Sequence, residues 1–182
     1  MDRFRTLAGT AMSLLILSVA LPAVALAQSA KLTGTWTWIS IEGKRPDGTV
    51  YQPFGSSPKG FIVFDGNGRF AFLLTSSGRP KFAVNNREQG TADEYKAAMQ
   101  GSIAYSGTYS VSGQTLVFDI EASTFPNSEG TQQKRTITLT ENELKYYNPS
   151  PTFGGTAETV LNRVRVASPR RGKMSLGWLL RG

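Results

Sequence analysis

The sequence has 182 residues and a formal net charge of +7, and it contains neither cysteine nor histidine. Without cysteine there is no disulfide or thiolate chemistry, so stability has to come from packing. Without histidine, Ser-His-Asp and Cys-His catalytic sites are excluded and the commonest zinc ligand is missing, so we expect neither a metal nor a cofactor.

Residues 1–27 have the features of a secretory signal peptide. Arg3 and Arg5 precede a short apolar run, and Ala25-Leu26-Ala27 forms an A-x-A cleavage signal. We expect cleavage to leave Gln28 as the first residue of a periplasmic or secreted protein. The alternative is an uncleaved membrane anchor, since the apolar stretch carries no charge.

The positive charge is concentrated outside the predicted folded domain, residues 28–167. That domain has 14 basic and 12 acidic residues, whereas the tail 168–182 has four basic residues and no acidic one. A domain this close to neutral predicts no nucleic-acid partner. The tail, which also carries apolar residues, could make weak contact with an anionic membrane or be a disordered remnant.

Short apolar runs separated by turn signals predict eight β-strands. Three pairs of runs are joined by short polar connections and indicate hairpins. Between the third and fourth strands, Thr91 and Glu94 form a capping box that predicts a short helix over 91–100. The predicted strands are 35–42, 60–65, 69–76, 102–111, 114–123, 134–140, 143–148 and 157–166.

The strands have one apolar and one polar face. In 114–123 the apolar side chains of Leu116, Phe118 and Ile120 alternate with a set that includes Asp119 and Glu121. With almost no helix to cover a sheet, such strands have to pack against one another. We therefore predict an all-β fold, an eight-stranded antiparallel up-and-down barrel with one short helix, because closure removes exposed sheet edges.

A set of short motifs spans about residues 32–166, and each is weak alone. The motifs are LTGTW (32–36), DGTVYQPFGSSPKGFIVFDGNGRF (47–70), RPKF (79–82), IAYSGTYSV (103–111), STFPNSEGTQQKR (123–135) and TVLNRV (159–164). In this order and spacing they resemble the bacterial and fungal lipocalin-like domain family, small calycin-type β-barrels related to lipocalins and fatty-acid-binding proteins.

The resemblance implies a lipocalin-like barrel with one closed end. There Gly34 and Trp36 would meet Arg163 of the last strand, whose guanidinium would stack over the indole as a cation–π contact. These three residues are expected to close the barrel rather than to touch a ligand.

The barrel interior is the expected site of any ligand, since about eight strands leave room for side chains or for one small molecule. Alternation from Trp36 directs Trp38 and Ser40 inward, and Gly107 is expected to leave open volume on the fourth strand. Each aromatic candidate could equally fill the core. The candidate ligand-binding residues are Trp38, Phe72, Tyr105, Tyr109, Phe118, Tyr146 and Arg79.

We expect an exported protein that binds a small hydrophobic molecule in the barrel interior. Two alternatives stay open: a non-redox isomerase or cyclase acting on a hydrophobic substrate in the same cavity, and a ligand-free structural or partner-binding barrel. No catalytic residue is assigned, because Asp119 and Glu121 point outward and Asp65 fits a turn.

Overall fold

The structure, a computed structural model, describes residues 30–165, which form nine antiparallel strands and a nine-residue helix, with helical residues 30–32 before the first strand. The predicted leader (1–27) and tail (168–182) lie outside these residues. A 3₁₀ turn, Pro126–Ser128, follows the sixth strand. The elements are β1 Gly34–Lys44, β2 Val50–Tyr51, β3 Lys59–Phe64, β4 Arg69–Thr75, α1 Ala92–Gln100, β5 Ser102–Ser112, β6 Thr115–Ser123, β7 Gln132–Leu139, β8 Glu143–Asn148 and β9 Thr156–Arg163.

The sheet closes on itself because β1 pairs along one edge with β3 and along the other with β9. The ring runs β1-β3-β4-β5-β6-β7-β8-β9 and back to β1, so every long strand lies beside its neighbour in sequence. The two-residue β2 only extends the edge of β1 at Gly43 and Lys44. The predicted eight-stranded antiparallel up-and-down barrel is therefore confirmed.

Local side-chain chemistry fixes the predicted turn and helix. The Asp65 carboxylate accepts hydrogen bonds from the backbone N–H groups of Asn67 (2.9 Å) and Arg69 (2.7 Å), so it is a turn residue as expected. At the start of α1, Thr91 Oγ1 accepts from the Glu94 N–H, and the Glu94 carboxylate accepts from the Thr91 N–H at 2.7 Å. Both halves of the predicted capping box are present.

A β-bulge corrects the expectation that Ser40 points inward. The pairing of β1 with β9 shifts register between Trp38 and Ser40. As a result the buried side chains switch from even-numbered positions, Trp36 and Trp38, to an odd-numbered one, Ile41. An extra residue in one strand reverses the faces of all residues that follow it, and simple alternation cannot foresee this.

Gly107 was expected to leave open volume in the barrel, but the structure gives it a different role. A Cβ at this position would lie 1.9 Å from the carbonyl oxygen of Asp119 on β6. The register of β5 against β6 also shifts between Ser106 and Gly107. The glycine therefore allows two backbones to approach closely at a bulge.

Arg163 closes one end of the barrel. Its guanidinium carbon lies 4.2 Å from the centre of the Trp36 ring, and the two residues are paired in register between β1 and β9. The guanidinium donates to the carbonyl oxygens of Thr33 (2.7 Å), Glu141 (2.7 Å) and Lys31. A cation–π contact and three charge-assisted hydrogen bonds therefore converge on one side chain.

Gly34 makes room for this arrangement. Its φ is +132°, and a Cβ there would lie 2.7 Å from Arg163 Nη1. Beneath the guanidinium, Trp36 is fully buried and its Nε1–H donates to the Leu32 carbonyl at 2.8 Å. The polar atom of the indole is thus satisfied while its ring seals the core.

Arg163→Met is expected to lower the free energy of unfolding by about 2–4 kcal/mol, because it removes three hydrogen bonds to carbonyl oxygens and the contact with Trp36. Urea unfolding followed by far-UV circular dichroism measures this. Arg165→Met is the matched control, since Arg165 donates to the exposed Asn142 side chain, and we expect a change within about 0.5 kcal/mol. Equal stability of Arg163→Met and the wild type would contradict this account of the closed end.

Candidate functional site

The barrel encloses a cavity of about 760 Å³ that opens at the end away from Trp36. The loops around 51–54, 123–128 and 150–153 line its outer part, and strand residues line its depth. Met99 and Gln100, at the end of α1, also lie on its edge. A space of this size falls within the range of roughly 300–1,000 Å³ that is usual for small-molecule sites.

One wall of the cavity is apolar. It is built by β4 and β5, where Phe72 and Leu74 are buried and Ile103 is partly buried. Tyr105 continues this wall, and its ring stacks on that of Phe72 with 4.3 Å between the ring centres and 17° between the planes. The stacked pair gives a rigid aromatic surface that a planar or aliphatic group can cover.

The facing wall is polar. In the ring order β4 lies four strands from β8, and β5 lies four strands from β9, so these pairs face each other across the interior. Thr159 and Asn148 are buried there, although both have polar side chains. The polar lining residues of β7, β8 and β9 are Gln133, Arg135, Tyr146, Asn148 and Thr159.

Among the described residues that line the cavity, only two arginines, Arg45 and Arg135, carry a charge. Arg45 lies at the mouth, with its guanidinium carbon 4.0 Å from the centre of the Tyr51 ring. Arg135 is buried, with 7 % of its surface exposed. None of the described lining residues is an aspartate or a glutamate, so this lining has an excess of positive charge.

Neutral groups surround the buried guanidinium. Arg135 Nη1 donates to the Lys134 carbonyl at 2.8 Å, and Nη2 donates to the Gln133 side-chain oxygen at 2.5 Å. The Tyr105 hydroxyl, which reaches in from β5, lies close to the same guanidinium. A buried charge that has only neutral partners is costly unless a ligand or water also solvates it.

The two phenols beside Arg135 stay protonated at ordinary pH. Burial raises the pKa of Tyr105, the neighbouring Tyr146 raises it further, and Arg135 partly offsets both effects. Burial likewise raises the pKa of Tyr146, against the smaller opposing effects of Arg135 and of a hydrogen bond with Thr159. Both hydroxyl groups therefore remain available as hydrogen-bond donors.

Aromatic contacts hold the mouth in place. Phe153 packs edge-on against Phe54, with 5.8 Å between ring centres, and against Tyr51, with 6.4 Å. The Tyr51 hydroxyl also donates to the Phe153 carbonyl at 3.3 Å. Met99 and Phe125, which line the same edge of the cavity, are exposed and give the entrance an apolar rim.

Three of the seven predicted ligand-binding residues line this cavity, namely Phe72, Tyr105 and Tyr146. The other aromatic candidates belong to the packed core. Trp38 packs against Phe72, with 4.8 Å between the ring centres. Its Nε1–H donates to the Leu73 carbonyl at 2.8 Å. Tyr109 donates from its hydroxyl to the Asp65 carbonyl at 2.8 Å.

Phe118 is fully buried in the same packed core, 4.6 Å from the centre of the Phe70 ring. Arg79 is exposed and lies outside the cavity lining, with the stem of its side chain over Gly101. These placements divide the interior into a core at the closed end and a cavity toward the mouth.

The sequence contained a signal for Arg135, although Arg135 is not among the predicted ligand-binding residues. Ile137 and Leu139 are the inward residues of β7, and Arg135 has the same parity two residues earlier. Thr159 follows the same rule on β9, between the buried residues Ala157 and Leu161. A polar residue at an inward position of an otherwise apolar face is the feature that identifies a site.

A closed ring of eight antiparallel strands around a cavity defines a β-barrel of the class that encloses small ligands. A family model described as a lipocalin-like domain matches residues 33–165. The chain therefore belongs to the lipocalin-like domain family, whose fold suggests ligand binding in general. A comparison with curated proteins gives no significant match.

Among residues 30–165, no helix is long and apolar enough to cross a membrane. Within the same residues, no three or more Asp and Glu side chains cluster closely enough to hold a metal ion.

The raised pKa values of Tyr105 and Tyr146 predict that the protein loses stability in alkali. Above about pH 10 the unfolded phenols lose protons that the folded protein retains, so the free energy of unfolding falls by about 1.4 kcal/mol per pH unit for each such tyrosine. Tyr105→Phe and Tyr146→Phe should each make this fall less steep, and the double variant should add the two effects. Urea unfolding at a series of alkaline pH values measures the slopes, and slopes parallel to the wild type would contradict the assignment.

Proposed function

We propose that this protein binds a small hydrophobic molecule inside its barrel. The observation that carries the proposal is the cavity of about 760 Å³ between the apolar wall of β4 and β5 and the polar wall opposite. A core that served stability alone would be filled by side chains, since protein interiors are packed nearly as densely as organic crystals.

The lining supports a ligand with a sizeable apolar part. Phe72, Leu74 and Ile103 offer a continuous apolar surface within the cavity, and Phe125 and Met99 extend apolar character to the mouth. Covering such a surface is favourable by about 25 cal/mol for each Å² removed from water. A few polar groups on the opposite side would orient the ligand, as is usual in small-molecule sites.

Binding is a better account of this lining than catalysis. The chain has no histidine, and the described residues of the cavity lining include no carboxylate that could accept a proton. The buried phenols have pKa values raised by burial, which makes them weak candidates for general bases near neutral pH. Their chemistry suits hydrogen-bond donation to a ligand.

The test is a titration with Nile red, a neutral lipophilic dye, monitored by fluorescence. The wild type should bind it, and Ile103→Trp should weaken binding by about ten-fold or more, because the larger side chain fills the cavity. Ile39→Trp is the matched control, since Ile39 is exposed on the outside of β1. We expect this variant to bind like the wild type.

Two results would overturn the proposed function. One is a wild-type protein that binds no lipophilic dye and carries no co-purified small molecule in native mass spectrometry. The other is equal loss of Nile red binding in Ile103→Trp and Ile39→Trp, which would locate the dye outside the cavity.

We further propose that the protein is exported and acts outside the cytoplasm, with the leader removed. The support is the leader itself, with Arg3 and Arg5 before the apolar run and Ala25-Leu26-Ala27 as the cleavage signal. Expression of the full chain in a Gram-negative host should release a protein by osmotic shock whose intact mass matches a start at Gln28. A full-length mass in the membrane fraction would instead support the uncleaved anchor.

A further inference from the structure

Arg135 is a buried charged side chain, and the described residues around it offer no opposite charge. It is buried, it lines the cavity, and it donates to a carbonyl and a side-chain amide, with the Tyr105 hydroxyl nearby. The two ion pairs among residues 30–165 are Arg69–Glu121 and Lys145–Glu143, both with exposed side chains. The buried cation therefore has no anionic partner in the part of the chain that the structure describes.

The donors of Arg135 are not exhausted by these contacts. A guanidinium has five N–H groups, and two of them are used in the hydrogen bonds to Lys134 and Gln133. Tyr105 and Tyr146 add two phenol hydroxyls beside it. A planar fork of N–H donors with neighbouring O–H donors matches the two oxygens of a carboxylate.

The rest of the cavity determines how a ligand would lie. Strands β4 and β5 carry the apolar wall and face β8 and β9, while Arg135 lies beside them on β7. A molecule with an apolar body and one acidic end can cover Phe72, Leu74 and Ile103 while its acid reaches the guanidinium. A wholly apolar molecule would leave the buried charge without a partner, which is costly.

We propose that the cavity selects amphipathic carboxylic acids, with the carboxylate bound by Arg135 and supported by Tyr105 and Tyr146. This inference rests on the proposed function, since it names the chemical class of the ligand held in the same cavity. It adds a specific requirement: the acid group, and not only the apolar body, determines affinity.

The experiment compares dodecanoate with dodecanol, which share an apolar chain and differ at the head, by displacement of Nile red from the full chain. At about pH 8 the acid is fully ionised, and we expect it to bind at least about ten-fold more tightly than the alcohol. This comparison uses the wild type alone, so it does not depend on how any variant folds.

Variants then test whether Arg135 is the source of the preference for the acid over the alcohol. Arg135→Leu should weaken dodecanoate by about thirty-fold or more while dodecanol and Nile red change by no more than about three-fold. Arg135→Lys keeps the charge but loses the planar fork, so it should retain part of the preference. Lys134→Gln is the matched control, one residue away on the exposed face of β7, and should keep the wild-type preference.

The outcomes separate the inference from the proposed function. If Nile red binds but the acid and the alcohol bind equally, or if Arg135→Leu keeps the preference for the acid, the inference is wrong and hydrophobic binding stands. If neither compound nor the dye binds, both are wrong. A preference that is lost in Arg135→Leu and kept in Lys134→Gln supports both.

Discussion

The contact of Arg163 with Trp36 joins the last strand of the barrel to the first, and the interior depends on it. β1 and β9 are far apart in sequence, so their pairing is what turns a meander into a closed ring. The guanidinium ties that seam to the carbonyls of Lys31, Thr33 and Glu141 while it covers the indole. One end of the barrel is thereby filled and sealed, and the open volume is confined to the other end.

This division places two arginines in different surroundings, Arg163 partly buried at the closed end and Arg135 buried beside the cavity. Arg163 is fully engaged by carbonyl oxygens and an aromatic ring, so its charge is used within the fold. Arg135 lies beside the cavity among neutral neighbours, and none of the described lining residues is acidic, so its charge has no partner within the described fold. A closed, largely apolar interior strengthens electrostatic contacts, and it also makes an unmatched charge costly. The closure that stabilises the barrel is therefore also the physical basis of the proposed selectivity of the cavity.

The fold could be predicted from sequence because its signals are local. Turn residues such as Asp65 and the Thr91–Glu94 capping box act within a few residues. The site was harder to predict, because the alternation of side chains along a strand indicates which face a residue occupies but not how deep in the barrel it lies. Trp38 is inward yet belongs to the packed core, since that depends on contacts with β4. The bulge after Trp38 arises from the pairing of β1 with β9, and the sequence of β1 alone does not reveal it. Arg135 could have been predicted to point inward, because it follows the same alternation along β7 as Ile137 and Leu139.

A crystal structure of the protein grown with dodecanoate tests the central claim most directly. The account predicts density for one molecule inside the barrel, with its carboxylate oxygens about 3 Å from the Arg135 guanidinium and its chain against Phe72, Leu74 and Ile103. An empty cavity, or a ligand bound only on the outer surface of the strands, would contradict it.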